Sequence, residues 1–163
     1  MNKSVIIIVL LFCTKAFAAP IGLQGVDLGM DFPQVQKLVN GSGGNCSKYN
    51  CENIVSIKGV STKVNYIFDK YDGSLESRLD KIDIDYPAPL YSTMLDALSS
   101  KYGSTAETAN IGNNTASWHL PDGLIIIKKS TKSRLTGNIS MVSNALLKEI
   151  NKQNEKAAAS PGF

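Results

Sequence analysis

The stretch 60–68 alternates so that Thr62, Val64, Tyr66 and Phe68 fall on one face, the two-residue period of a half-buried strand. The turn pair Asp72-Gly73 follows, and 79–86 resumes the pattern with Ile82, Ile84 and Tyr86 inward. A shorter apolar run at 54–57 reads as a strand ahead of both. Two segments follow the helical period instead. Leu90, Met94, Leu98 and Tyr102 recur every fourth position, joined by Leu95 and Ala97, with Pro89 opening that helix and Gly103 stopping it. Earlier, Asp31 stands where an N-cap accepts from exposed amides, with Pro33 in the first turn and Gln34 completing a capping box. Phe32, Val35, Leu38 and Val39 form that helix's apolar stripe, and Asn40-Gly41 ends it.

The second half repeats this order. After the second helix come strands at 115–120, 124–129 and 137–142, the first two joined across Asp122-Gly123. Tyr66-Ile67-Phe68 ahead of Asp72-Gly73 has its counterpart in Trp118-His119-Leu120 ahead of Asp122-Gly123. The expected architecture is α+β: an antiparallel sheet with helices packed on one face, built from two helix-plus-three-strand halves, 19–87 and 88–143. A terminal helix starting near Ser143 has only Leu146, Leu147 and Ile150 as anchors; 151–156 is polar, and 157–163 reads as a frayed end. Residues 19–156 thus form one domain. The run Leu124-Ile125-Ile126-Ile127 departs from alternation, so its second face needs a cover, either the terminal helix or a partner.

Residues 1–18 carry a different pattern. Lys3 precedes an unbroken apolar run from Val5 to Phe12, and Ala16-Phe17-Ala18 presents small residues where a signal peptidase cuts. The run falls short of the roughly 20 residues a spanning helix needs. A signal peptide, a mature start at Ala19 and a periplasmic or secreted location are expected, with no transmembrane segment. Cys13 follows Phe12, where a lipoprotein signal places a small residue. Removing 18 of the 163 residues leaves 145, enough for one core without metals. Of 17 basic residues, Lys3 and Lys15 leave with the signal, so fifteen stand against 14 acidic ones. That balance argues against nucleic acid as a partner.

In an oxidising compartment Cys46 and Cys51 are expected to pair, fixing the loop between them and adding about 2 kcal/mol by loop closure. Two cysteines and a distant His119 do not suffice for a metal site, and no cofactor is implied. His119 sits between inward-facing Trp118 and Leu120 and so points to solvent. Asp69, Asp72, Glu76, Asp80, Asp83 and Asp85 lack calcium-loop spacing and alternate with Lys70, Arg78 and Lys81, which reads as a solvated, partly self-neutralised face. Lys128, Lys129, Lys132 and Arg134 form an opposing basic patch. No nucleophile elbow, Cys/His pair or phosphate-cradling loop is present, so no catalytic residues are assigned. Lys48 and Tyr49, inside the constrained loop, are the candidate binding residues.

Gly29-Met30-Asp31-x-x-Gln34-Val35 ahead of a short helix, then a cysteine-containing loop and a three-stranded meander, resembles the fold shared by the β-lactamase inhibitory protein and the small outer-membrane assembly lipoproteins. Members of that group usually open the helix with Gly-Met-Ser/Thr-x-x-Glu-Val; here Asp31 and Gln34 do the capping. Small exported bacterial proteins, some carried by prophages, look similar. The resemblance implies a two-unit fold and protein binding by surface complementarity, as in an inhibitor or immunity-type factor without catalysis. It also leaves open a structural accessory of the cell envelope. No lipid-bearing cysteine stands at the cleavage site, and no inhibitor contact residue maps onto this chain.

Overall fold

The computed structural model describes residues 19–47, 50–69, 77–104, 115–129 and 136–159. A small ribbon comes first, β1 (Gly22–Leu23) against β2 (Val26–Asp27), turning at Gln24-Gly25 with φ of 52° and 84°. Left-handed conformations at both central residues make the two-residue turn whose twist matches antiparallel strands. Helix α1 (Phe32–Gly41) follows, its Asp31 Oδ1 accepting the Gln34 amide at 2.9 Å as the capping pattern requires. It buries Phe32, Val35 and Val39. Leu38, expected in the same stripe, is instead 42% exposed, because it falls at the margin of the narrow arc that faces the sheet.

Strands β3 (Asn45–Cys46), β4 (Asn50–Ile57), β5 (Val60–Phe68) and β6 (Leu79–Pro87) build the first half of the sheet. Lys58-Gly59 supplies the tight turn between β4 and β5, again with both φ positive, at 51° and 80°. The expected strand at 54–57 therefore starts earlier, at Asn50. Its inward residues are Cys51, Asn53 and Val55, which leaves the apolar Ile54 on the outside, 72% exposed. A 3-10 turn over Ala88–Leu90 leads into α2 (Tyr91–Tyr102), which Gly103 stops with φ of 85°. Strands β7 (Thr115–Leu120), β8 (Gly123–Lys128) and β9 (Thr136–Ser143) and the terminal helix α3 (Asn144–Ala159) complete the chain.

Seven strands form one antiparallel sheet in the order β3-β4-β5-β6-β9-β8-β7. Each half contributes a meander, and the two meet through their last strands, so β6 and β9 lie side by side at the centre. Register places the apolar sets on a common face. Val64 faces Ile84, Ile84 faces Ile139, and Ile139 faces Ile127; one row over, Tyr66, Ile82, Met141, Ile125 and Trp118 run across five strands. Since a one-residue slip would send every such side chain to the wrong face, these rows fix the register. Val35 and Val39 of α1 and Met94 and Leu98 of α2 join them in one continuous core. The fold is α+β, with α1 and α2 on the core face.

Helix α3 lies against β6, β8 and β9 outside that core. Val142, whose neighbours across the ladder are Lys81 and Leu124, is buried there on the face opposite Met141. Leu124 and Ile126 are half-buried, so part of the cover that the apolar run needs comes from within the chain. Residues 151–158 are exposed along the helix, and helical structure continues to Ala159, into the segment read as a frayed end.

Candidate functional site

Cys46 and Cys51 sit directly opposite each other on β3 and β4 and are joined by a disulfide, with their Cα atoms 4.0 Å apart. Lys48 and Tyr49, between them in sequence, lie outside the described residues. Ser47 Oγ donates to Asn50 Oδ1 at 2.7 Å, and the Ser47 amide donates to the Asn50 carbonyl at 2.8 Å.

Beside the hairpin the sheet edge opens into a depression of about 340 Å³ lined by Ser42, Gly43 and Gly44 after α1, Glu52 and Ile54 on β4, and Lys63 on β5. Gly44 has no room for a side chain, since a Cβ there would meet the Glu52 carbonyl at 2.6 Å and Val39 Cγ1 at 2.6 Å. Lys63 pairs with Glu52 at 2.9 Å, and Ile54 stands directly across from Lys63. Asn53 Oδ1 accepts the Ile54 amide at 2.8 Å while its Nδ2 donates to Ser42 Oγ at 2.8 Å. The edge amide is thereby occupied, which blocks strand addition at this point. What remains available is side-chain contact: an exposed isoleucine flanked by an ion pair.

The same outer face carries a polar lattice toward the sheet centre. Lys81 pairs with Asp83 at 2.6 Å, Ser140 Oγ donates to Asp83 at 2.6 Å, and Asn138 donates to Asp85 at 3.1 Å. The expected self-neutralised strand face is present at Asp83 and Asp85, whereas Asp72, Glu76 and Lys70 lie outside the described residues. Asp80 departs from it. It shares the inward face of β6 with Ile82, Ile84 and Tyr86 and is only 9% exposed, and the register shift between β5 and β6 lets the neighbouring Leu79 turn inward as well. Ser143 Oγ donates to it at 2.5 Å and itself accepts the Leu146 amide at 3.1 Å, capping α3. Alternation counted back from Ile82 already separates Asp80 from outward Asp83 and Asp85; its charge is what makes it read as part of the solvated face.

Burial raises the Asp80 pKa above the usual carboxylate value; the Ser143 hydrogen bond opposes this and Asp69 adds to it. A folded pKa above the unfolded one means that the group's stabilising contribution is complete below the ordinary carboxylate range and lost as pH rises through the folded value. Asp80→Asn keeps an acceptor for Ser143 and removes the buried charge. The variant should melt higher than the parent at neutral pH, and the gap should close toward the acid end. Thermal melts across that range check this; a gap that widens in acid would contradict the assignment.

Two fully buried phenols on the core face are shifted. Burial pushes Tyr66 up to about 12, and burial together with neighbouring Tyr91 raises Tyr86 further. Both stay neutral and act as packing groups. His119 is exposed and turned away from buried Trp118, as alternation requires. Lys128 and Lys129 are exposed, while Lys132 and Arg134 lie outside the described residues. Among the described residues no cluster of three or more His, Cys, Asp or Glu side chains is placed to hold a metal, and no helix is long and apolar enough to cross a membrane. Comparison with protein-family models, curated proteins and solved structures finds no match to this chain.

Proposed function

We propose that this is an exported protein-binding module, an inhibitor or immunity-type factor that acts by surface complementarity and not by catalysis. The observation that carries the reading is Ile54, 72% exposed beside the Glu52–Lys63 ion pair, at the sheet edge next to the disulfide-closed hairpin. Single exposed apolar residues are common on surfaces. This one stands on a rigid strand, with its edge amide already occupied and a concave, polar-rimmed depression at its side. Preordered anchors of that kind bind with little loss of side-chain freedom. Lys48 and Tyr49, which the sequence places between the two bonded cysteines, are the further candidates for contact with the same partner. The disulfide suits the oxidising compartment to which residues 1–18 would direct the chain.

The test begins with affinity capture of partners by the mature protein from periplasm and medium, identified by mass spectrometry. Ile54→Asp should weaken the captured complex by about 1–2 kcal/mol, and Tyr49→Ala by more than about 1 kcal/mol, both without lowering the melting temperature. Wild-type affinity in both variants would remove this edge from consideration. Sedimentation of the mature protein with outer membranes, in place of a soluble complex, would favour the envelope-accessory reading instead.

A further inference from the structure

On the opposite side of the sheet, a pocket of about 210 Å³ opens between α2, the β1–β2 ribbon and the core face. Its floor is apolar and buried: Ile84, Met94, Ile139 and Met141 are each at most 2% exposed. Its rim is different. Gln24 and Lys101 are exposed, with half-buried Leu23 and Tyr102 between floor and solvent. The ribbon is tied down over the pocket through one residue, Gly22. The Tyr102 hydroxyl accepts from the Gly22 amide at 3.2 Å and donates to its carbonyl at 3.1 Å, and Lys101 Nζ donates to the same carbonyl at 2.8 Å.

Among the described residues Lys101 is the only charged side chain lining this pocket, and no carboxylate pairs with it. Its ammonium lies 4.9 Å from the Tyr102 ring centroid, held at the mouth by that ring and the Gly22 carbonyl. A single fixed cation over an apolar floor is complementary to a molecule with a hydrocarbon body and one anionic end. Size narrows the class. An apolar cavity of about 150 Å³ holds the six carbons of benzene, which scales to roughly eight carbons here.

We propose that this pocket binds a medium-chain carboxylate, its chain lying on Ile84, Met94, Ile139 and Met141 and its carboxylate on Lys101. This is independent of the protein-binding edge, which lies on the other face of the sheet. Octanoate is the probe, titrated into the intact mature protein by calorimetry, with octanol and octylammonium as controls. Octanoate should bind one to one and at least tenfold more tightly than either control. Lys101→Gln should cost at least tenfold in octanoate affinity and leave octanol unchanged. Ala97→Leu, which fills the pocket with a good helix former, should abolish binding of both while circular dichroism reports a folded protein. Failure of octanoate to bind up to millimolar concentration would overturn the proposal. So would equal affinity for octanol, or binding that survives Ala97→Leu.

Discussion

Trp118→Ala should lower the unfolding free energy by about 3–5 kcal/mol, the range for truncating a large buried aromatic. Trp118 is 1% exposed on β7, the edge strand of the sheet, where it ends the row that runs from Tyr66 through Ile82, Met141 and Ile125. Its role is not packing alone. Nε1 donates to the Gly103 carbonyl at 2.9 Å, tying the end of α2 to the edge of the sheet. Trp118→Phe separates the two contributions, because it retains most of the apolar contact and loses the hydrogen bond, for an expected loss of about 1–3 kcal/mol. Trp118 is also the only tryptophan in the chain, so urea unfolding has to be followed by far-ultraviolet circular dichroism and not by fluorescence. A loss below about 1 kcal/mol for Trp118→Ala would mean that the ring does not fill the place assigned to it.

The alternation that marks Trp118 as inward and His119 as outward is the kind of signal a sequence carries well, because a two-residue period maps directly onto the two faces of a strand. Thr62 to Phe68 and Ile82 to Tyr86 were legible for the same reason, as were the Asp31 cap and the Gly103 stop, which depend on local backbone chemistry. Strand order was not legible in that way. That β6 and β9 meet at the centre depends on contacts between residues more than fifty positions apart, such as Ile84 with Ile139. The β1–β2 ribbon leaves no signal in the sequence because its strands are two residues long, too short for any period to show. Ile54 is a third such case. The apolar run at 54–57 reads as a strand without saying which of its residues face inward, and the partly polar set Cys51, Asn53 and Val55 takes the core side, since Asn53 has hydrogen-bond partners that make its burial tolerable. The residue that anchors the proposed binding edge is therefore one whose side of the sheet composition alone does not decide.

Gly137→Val should destabilise the protein by about 3 kcal/mol or more, and Gly137→Ala by about 1–3 kcal/mol, although strand propensity alone predicts a gain for both. Gly137 lies directly across from Tyr86 at the junction of the two halves. The Tyr86 ring crosses β9 at this glycine, and its hydroxyl donates to the Lys128 carbonyl on β8 at 3.1 Å. A Cβ at position 137 would lie within the space of the ring itself. Tyr86 is 1% exposed and fastened at its far end, so moving its ring would break that hydrogen bond and disturb close packing. Propensity differences span only about 1 kcal/mol, whereas displacing a buried ring disturbs packing and hydrogen bond together, so the steric effect should win. A double-mutant cycle isolates the contact: in a Tyr86→Leu background the further change Gly137→Ala should become neutral or stabilising. If Gly137→Ala is equally damaging in both backgrounds, the ring is not what excludes a side chain there, and the close packing of the two halves around β6 and β9 would need another explanation.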